Sequence, residues 1–163
     1  MYCDNAFRWE RLLNRPVSGE NEIWKTAWPV SQHNVSPIQV TRKGGVRDAV
    51  ESRDGKLLFY MKGPGEGRNS VWRVPVRGGE ETPILPSVLN NNFAVVEKGI
   101  YFIPDSQPFS VRFQDFATGK VITVANLARE PAWGLSVSPD GRNLLYAEFE
   151  GVRADLVLEN NFR

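Results

Sequence analysis

Three short segments of this chain repeat one layout. Residues 49–55 lead into the apolar run 56–60, residues 93–99 into 100–104, and residues 134–141 into 142–146. The glycines that mark them, Gly55, Gly99 and Gly141, stand 44 and 42 residues apart. A fixed period of that size is the length of one four-stranded β-propeller blade. Asp54-Gly55, Lys98-Gly99 and Asp140-Gly141 each fall between two apolar strands. There glycine is expected to supply the positive φ of a tight hairpin turn. Asp54 and Asp140 are accordingly read as turn residues rather than as acids or metal ligands.

A polar loop, a third strand, a turn and a fourth strand follow each hairpin. In the second unit these are residues 70–75, the turn Arg77-Gly78-Gly79 and residues 82–85; in the third, 111–116, the turn 117–120 and 121–124. The first unit shows residues 22–25 and 38–41, with a candidate strand around Arg11, Leu12 and Leu13. Short β-branched and aromatic runs at this spacing, bounded by Gly, Pro and Asn, predict an all-β fold. No segment of the length of a helix carries a sustained 3.6-residue period. The expected architecture is about four four-stranded antiparallel blades, over residues 9–41, 46–85, 91–126 and 132–163, forming a partial propeller. Residues 1–20 match the pattern poorly and are assigned at most to the first blade.

Composition narrows the chemistry. Hydrophobic residues make up 41% and charged residues 24% of the 163, which suits a packed globular chain rather than disorder. Lys and Arg number 20 against 19 Asp and Glu, so no net field draws the chain to nucleic acid or an anionic membrane. Local positive charge from Arg42 to Arg77 is interleaved with Asp48, Glu51, Asp54 and Glu66, and reads as a solvated surface. No apolar run reaches the length of a membrane span, and the first residues lack a basic-then-apolar leader. As written, the chain is expected to be cytoplasmic.

Cys3 is the only cysteine and His33 the only histidine. His33 sits in the polar run Ser31-Gln32-His33-Asn34 and is read as a loop residue, since a catalytic base needs a held geometry and a nucleophile beside it. Residues 63–70 are glycine-rich but lack the Gly-Lys-Ser/Thr of a phosphate-cradling loop. Gly134-Leu135-Ser136-Val137-Ser138 begins like a nucleophile elbow and ends in serine where glycine is required. No catalytic residue, cofactor site or metal site is therefore assigned, and the chain is expected not to be an enzyme by itself.

Residues 138–146 (SPDGRNLLY), the Trp-basic pairs Trp24-Lys25 and Trp72-Arg73, and residues 37–42 (PIQVTR) resemble the TolB-type (WD40-like) β-propeller repeats of bacteria. The resemblance runs from about residue 21 to the end. Residues 71–81, 133–142 and 155–163 are similar to propellers that follow a winged-helix DNA-binding domain or a serine/threonine kinase in bacterial regulators. Such propellers usually have six or more blades. The resemblance thus implies the C-terminal part of a longer propeller, with a four-bladed ring as the alternative. Its final unit ends after a third strand.

The recurring aromatics Trp24, Tyr60, Trp72, Phe102, Phe113, Trp133 and Tyr146 are read for the most part as packing between blades. Three residues at equivalent entries to the innermost strands, Arg47, Asn92 and Trp133, are the candidate contacts for a ligand or partner, Trp133 foremost. The functional expectation is a non-catalytic binding module of a bacterial signalling or transcription-regulatory protein. The alternative is the accessory propeller of a kinase or serine peptidase. The partner is an unidentified protein or small molecule, without direct nucleic-acid binding. Exposed blade edges are also expected to promote self-association.

Overall fold

The computed structural model describes residues 11–17, 20–26, 36–44, 46–63, 68–151 and 153–160. Every regular element among them is a strand. Four antiparallel sheets follow one another along the chain. The first holds β1 (Arg11–Val17), β2 (Glu20–Thr26) and β3 (Ile38–Gln39). The second holds β4 (Val46–Glu51), β5 (Leu57–Lys62), β6 (Arg68–Pro75) and β7 (Thr82–Leu89). The third holds β8 (Phe93–Val96), β9 (Gly99–Phe102), β10 (Ser110–Asp115) and β11 (Val121–Asn126). The last holds β12 (Pro131–Val137), β13 (Asn143–Glu150) and β14 (Arg153–Asn160). Within each sheet the strands pair in chain order, as successive hairpins require. The candidate strand at Arg11 is β1, so part of the poorly matching N-terminal stretch belongs to the first sheet.

Alternation along single strands builds the core. In β5, Leu58 and Tyr60 pack with Ile23 and Val40 of the first sheet's segment, while Phe59 and Met61 point the other way. There they meet Phe93, Ile100 and Phe102 of the third sheet. In turn Ile103 and Val111 join Leu135, Leu144 and Tyr146 of the last sheet. Side chains on a strand alternate faces with period 2, so one run of apolar residues can serve two neighbours at once. Three apolar layers thus lie between four sheets, and each sheet finds its cover in the next.

The hairpin turns follow the chemistry read from the sequence, with one correction. Gly55 and Gly141 have φ of 69° each, the left-handed conformation a glycine adopts without cost. Asp54 Oδ1 accepts from the Ser52 hydroxyl at 2.7 Å and the Lys56 amide at 3.2 Å. Asp140 is bonded in the same manner by the Ser138 hydroxyl and the Arg142 amide. Hydrogen bonds from those hydroxyls, then from the amides, hold both carboxyls below the usual aspartate range. Gly99 is different, for it is not among the positive-φ residues. It sits in β9 opposite Asp115, and a Cβ there would lie 2.2 Å from the Gln114 carbonyl oxygen and 2.4 Å from the Phe113 ring. Glycine is required at 99 by close approach rather than by turn geometry. Gly99→Ala is expected to cost about 1–3 kcal/mol through overpacking, measured by urea denaturation; a change under about 0.5 kcal/mol, the usual range for surface positions, would refute that close approach.

Candidate functional site

The three candidate contact residues lie at the starts of β4, β8 and β12, the first strand of each of the last three sheets. β12 lies against β8, and β4 against β2 of the first sheet. Arg47 is exposed near the start of β4, beside the register shift between Arg47 and Ala49. Trp133 is 57% exposed on β12, and its ring meets Phe149 edge-on with centroids 5.7 Å apart. The neighbouring Gly134, at φ 103°, is followed by resumed pairing at Leu135 after an irregularity that begins at Pro131.

Asn92 has a different environment. It is fully buried, and its Nδ2 donates to the Ala132 carbonyl oxygen at 2.8 Å. Its main-chain carbonyl oxygen accepts from the Ile103 amide at 3.0 Å. The side chain joins the third sheet to the last at the residue before Trp133. As the molecule stands, Asn92 holds the backbone at Ala132, just before the exposed indole, and offers no surface of its own. The structure therefore brings Asn92 and the Trp133 backbone together, and leaves Arg47 and Trp133 as the exposed members of the set.

The most strongly held polar group was not singled out from sequence. Glu81, buried just before β7, accepts from the Tyr60 hydroxyl at 2.6 Å, the Lys62 ammonium at 2.9 Å and the Arg42 amide at 2.7 Å. Lys62 also lies over Trp72, 4.8 Å from the ring centroid, with Lys43 over the same ring at 5.8 Å. Burial alone would raise the Glu81 carboxyl. The bonds from Tyr60, the Arg42 amide and Lys62 outweigh it and hold the group below the usual glutamate range. The Tyr60 phenol is pushed far up, by burial first and then by its bond to Glu81. A second carboxylate, Glu22, accepts from the Gly44 amide at 2.8 Å and from the Thr41 hydroxyl. Arg42 and Thr41 belong to the segment after β3, so both carboxylates secure the passage from the first sheet to the second. With every partner a structural neighbour, the cluster acts as a clamp.

A cleft of about 430 Å³ opens between the second and third sheets at their hairpin ends. Phe59 and Phe116, stacked 5.3 Å apart, lie at its apolar side, and Arg53, Asp54 and Glu97 at its rim. Among the described residues no group of three or more His, Cys, Asp or Glu could hold a metal ion, and no helix is long and apolar enough to cross a membrane. Cys3, His33 and residues 64–67 of the glycine-rich loop lie outside the described residues.

Solved structures share this arrangement of sheets. The TolB of Acinetobacter baumannii superposes with a TM-score of 0.68 over 93% of this chain and 39% of its own, at 23% identity. A putative TolB from Agrobacterium tumefaciens gives 0.63 over 91% and 53%, at 18% identity. The chain is a partial β-propeller. A prolyl endopeptidase matches as well, with a TM-score of 0.62 at 16% identity over 93% of this chain and 24% of that one. The chain thus spans well under two thirds of each of these proteins, and at such identities the likeness is one of fold. Neither a protein-family model nor a curated protein sequence matches it. In propeller terms the four sheets are blades, with β4, β8 and β12 as innermost strands.

Proposed function

We propose that the chain is a non-catalytic propeller module that binds a protein or peptide at the entries of its inner strands, within a larger bacterial signalling or regulatory protein. The observation that carries this reading is Trp133, a large aromatic left 57% exposed on an inner strand while the comparable aromatics Tyr60, Phe102 and Tyr146 are buried. An exposed indole beside an irregular strand is a rigid, amphipathic contact of the sort that dominates binding energy at interfaces. Arg47, exposed at the matching entry of β4, adds a charged donor. Likeness to the prolyl endopeptidase propeller supports a second reading, the accessory propeller of an enzyme whose catalytic part lies elsewhere.

Panning a displayed peptide library on the chain tests the first reading. Enriched peptides are expected to lose about tenfold or more in affinity, about 1.4 kcal/mol, on Trp133→Ala or Arg47→Ala. Both residues are exposed, so the melting temperature should stay nearly constant. Enriched peptides indifferent to both substitutions would place binding elsewhere, and turnover of peptide or ester substrates by this chain would overturn the non-catalytic reading.

A further inference from the structure

The cleft between the second and third blades lies at the ends of β4 and β8, away from the strand entries that carry Arg47 and Asn92. Its wall is apolar, lined by Leu57, Phe59, Val95, Val96 and Phe116. Phe59 is buried, whereas the other four are half-buried, so part of this apolar surface meets water. The rings of Phe59 and Phe116 lie within 12° of parallel, which gives the wall aromatic surface on which a further ring can pack. At the rim, two polar groups are already engaged. The Ser52 hydroxyl donates to Asp54 and accepts from the Leu57 amide at 2.9 Å. Asp54 also takes the Lys56 amide and, at 3.5 Å, the Lys56 ammonium. Arg53 and Glu97 are the other rim charges. Both are exposed, and neither takes part in an ion pair among the described residues. One cation and one anion therefore stand free over an apolar, partly aromatic wall.

We propose that this cleft binds a free aromatic α-amino acid, with its ring on the apolar wall, its carboxylate at Arg53 and its ammonium at Glu97. The volume of about 430 Å³ falls in the range of small-molecule sites, as does the pairing of an apolar lining with a few polar groups at the mouth. Charge complementarity selects the ligand class. A guanidinium matches a carboxylate in geometry as well as in sign. A purely anionic or purely cationic aromatic would satisfy one rim charge and bring a like charge towards the other. A zwitterion meets both. The rim is solvated, so each ionic contact adds modestly and burial of the ring supplies most of the affinity. For a ligand of about a dozen non-hydrogen atoms, a dissociation constant of about 1 mM is expected. None of the lining residues belongs to the peptide-binding set of Arg47 and Trp133, so the two sites stand or fall separately.

Titration of the isotope-labelled chain with L-phenylalanine, followed through amide chemical shifts, tests the proposal. Saturable shifts are expected around Arg53, Val95, Glu97 and Phe116. Arg53→Ala and Glu97→Ala should each weaken binding about three- to fivefold, as loss of a solvated ionic contact does. N-acetyl-phenylalanine, which lacks the ammonium, should respond to Arg53→Ala but not to Glu97→Ala, and phenylalanine amide, which lacks the carboxylate, should do the reverse. Both rim residues are exposed, so these variants should melt close to the parent. Val95→Trp, which fills the cleft, should abolish binding; should it fail to fold, the two rim variants still decide the matter. Arg142→Ala, in the corresponding turn of the last blade, should leave binding unchanged. Absence of saturable shifts up to about 20 mM, well above the expected dissociation constant, would overturn the proposal. So would benzyl alcohol or L-leucine binding as tightly as phenylalanine, or an affinity indifferent to both rim substitutions.

Discussion

Glu81→Ala is expected to lower the unfolding free energy by about 3–5 kcal/mol, the usual result of removing one member of a buried, hydrogen-bonded ion pair. Three donors lose their acceptor together: the Tyr60 hydroxyl, the Arg42 amide and the Lys62 ammonium, whose side chain is 14% exposed. Each belongs to the passage between the first and second blades, so the loss should loosen that junction ahead of the others. Denaturant unfolding at neutral pH checks the magnitude, and hydrogen exchange in β2 and β5 checks the location. A loss under about 1 kcal/mol would mean that the pair nearly balances its own desolvation and that the clamp is absent.

The same carboxylate fixes the sign of a pH effect. Its folded pKa lies below its unfolded value of 4.5. The stabilisation is therefore fully present above the unfolded value and is lost as pH falls through the folded one. Asp54, Asp115 and Asp140 are lowered too and act in the same direction. The difference between the parent and Glu81→Gln therefore isolates the buried group. Stability of the glutamine variant should fall less steeply below the ordinary glutamate range; parallel acid limbs would refute the assignment.

Phe59→Ala is expected to cost about 3–5 kcal/mol, as truncation of a buried aromatic usually does. Phe59 is buried between the second and third blades, stacks on Phe116 and belongs to the apolar layer that joins them. For a chain of this size each kcal/mol lowers the melting temperature by about 2–4 °C, so a fall of about 10 °C is expected by calorimetry. Leu144, the site of a comparable change to Ala, belongs to the next layer, which has no member in common with that of Phe59, and the two losses should add to within about 0.5 kcal/mol. Strong non-additivity would mean that the layers fold as one unit rather than as a nearest-neighbour stack.

A local rule settled much of this protein in advance. The glycine period and the strand alternation sufficed for four all-β units, because a hairpin turn and a two-residue repeat are written in neighbouring residues. Asp54 and Asp140 follow from the same locality, since their partners lie two residues away. What tertiary structure alone decided involves distant residues. Gly99 stands beside Phe113 and Gln114, Glu81 faces Arg42 across 39 residues, and Asn92 meets Ala132 across 40. Asn92 and Trp133 occupy similar places along their repeats, yet one is buried beneath the next blade and the other, in the last blade, is exposed. Position in a repeat tells which strand a residue begins. Whether that residue is core or surface depends on which blade, if any, lies against it.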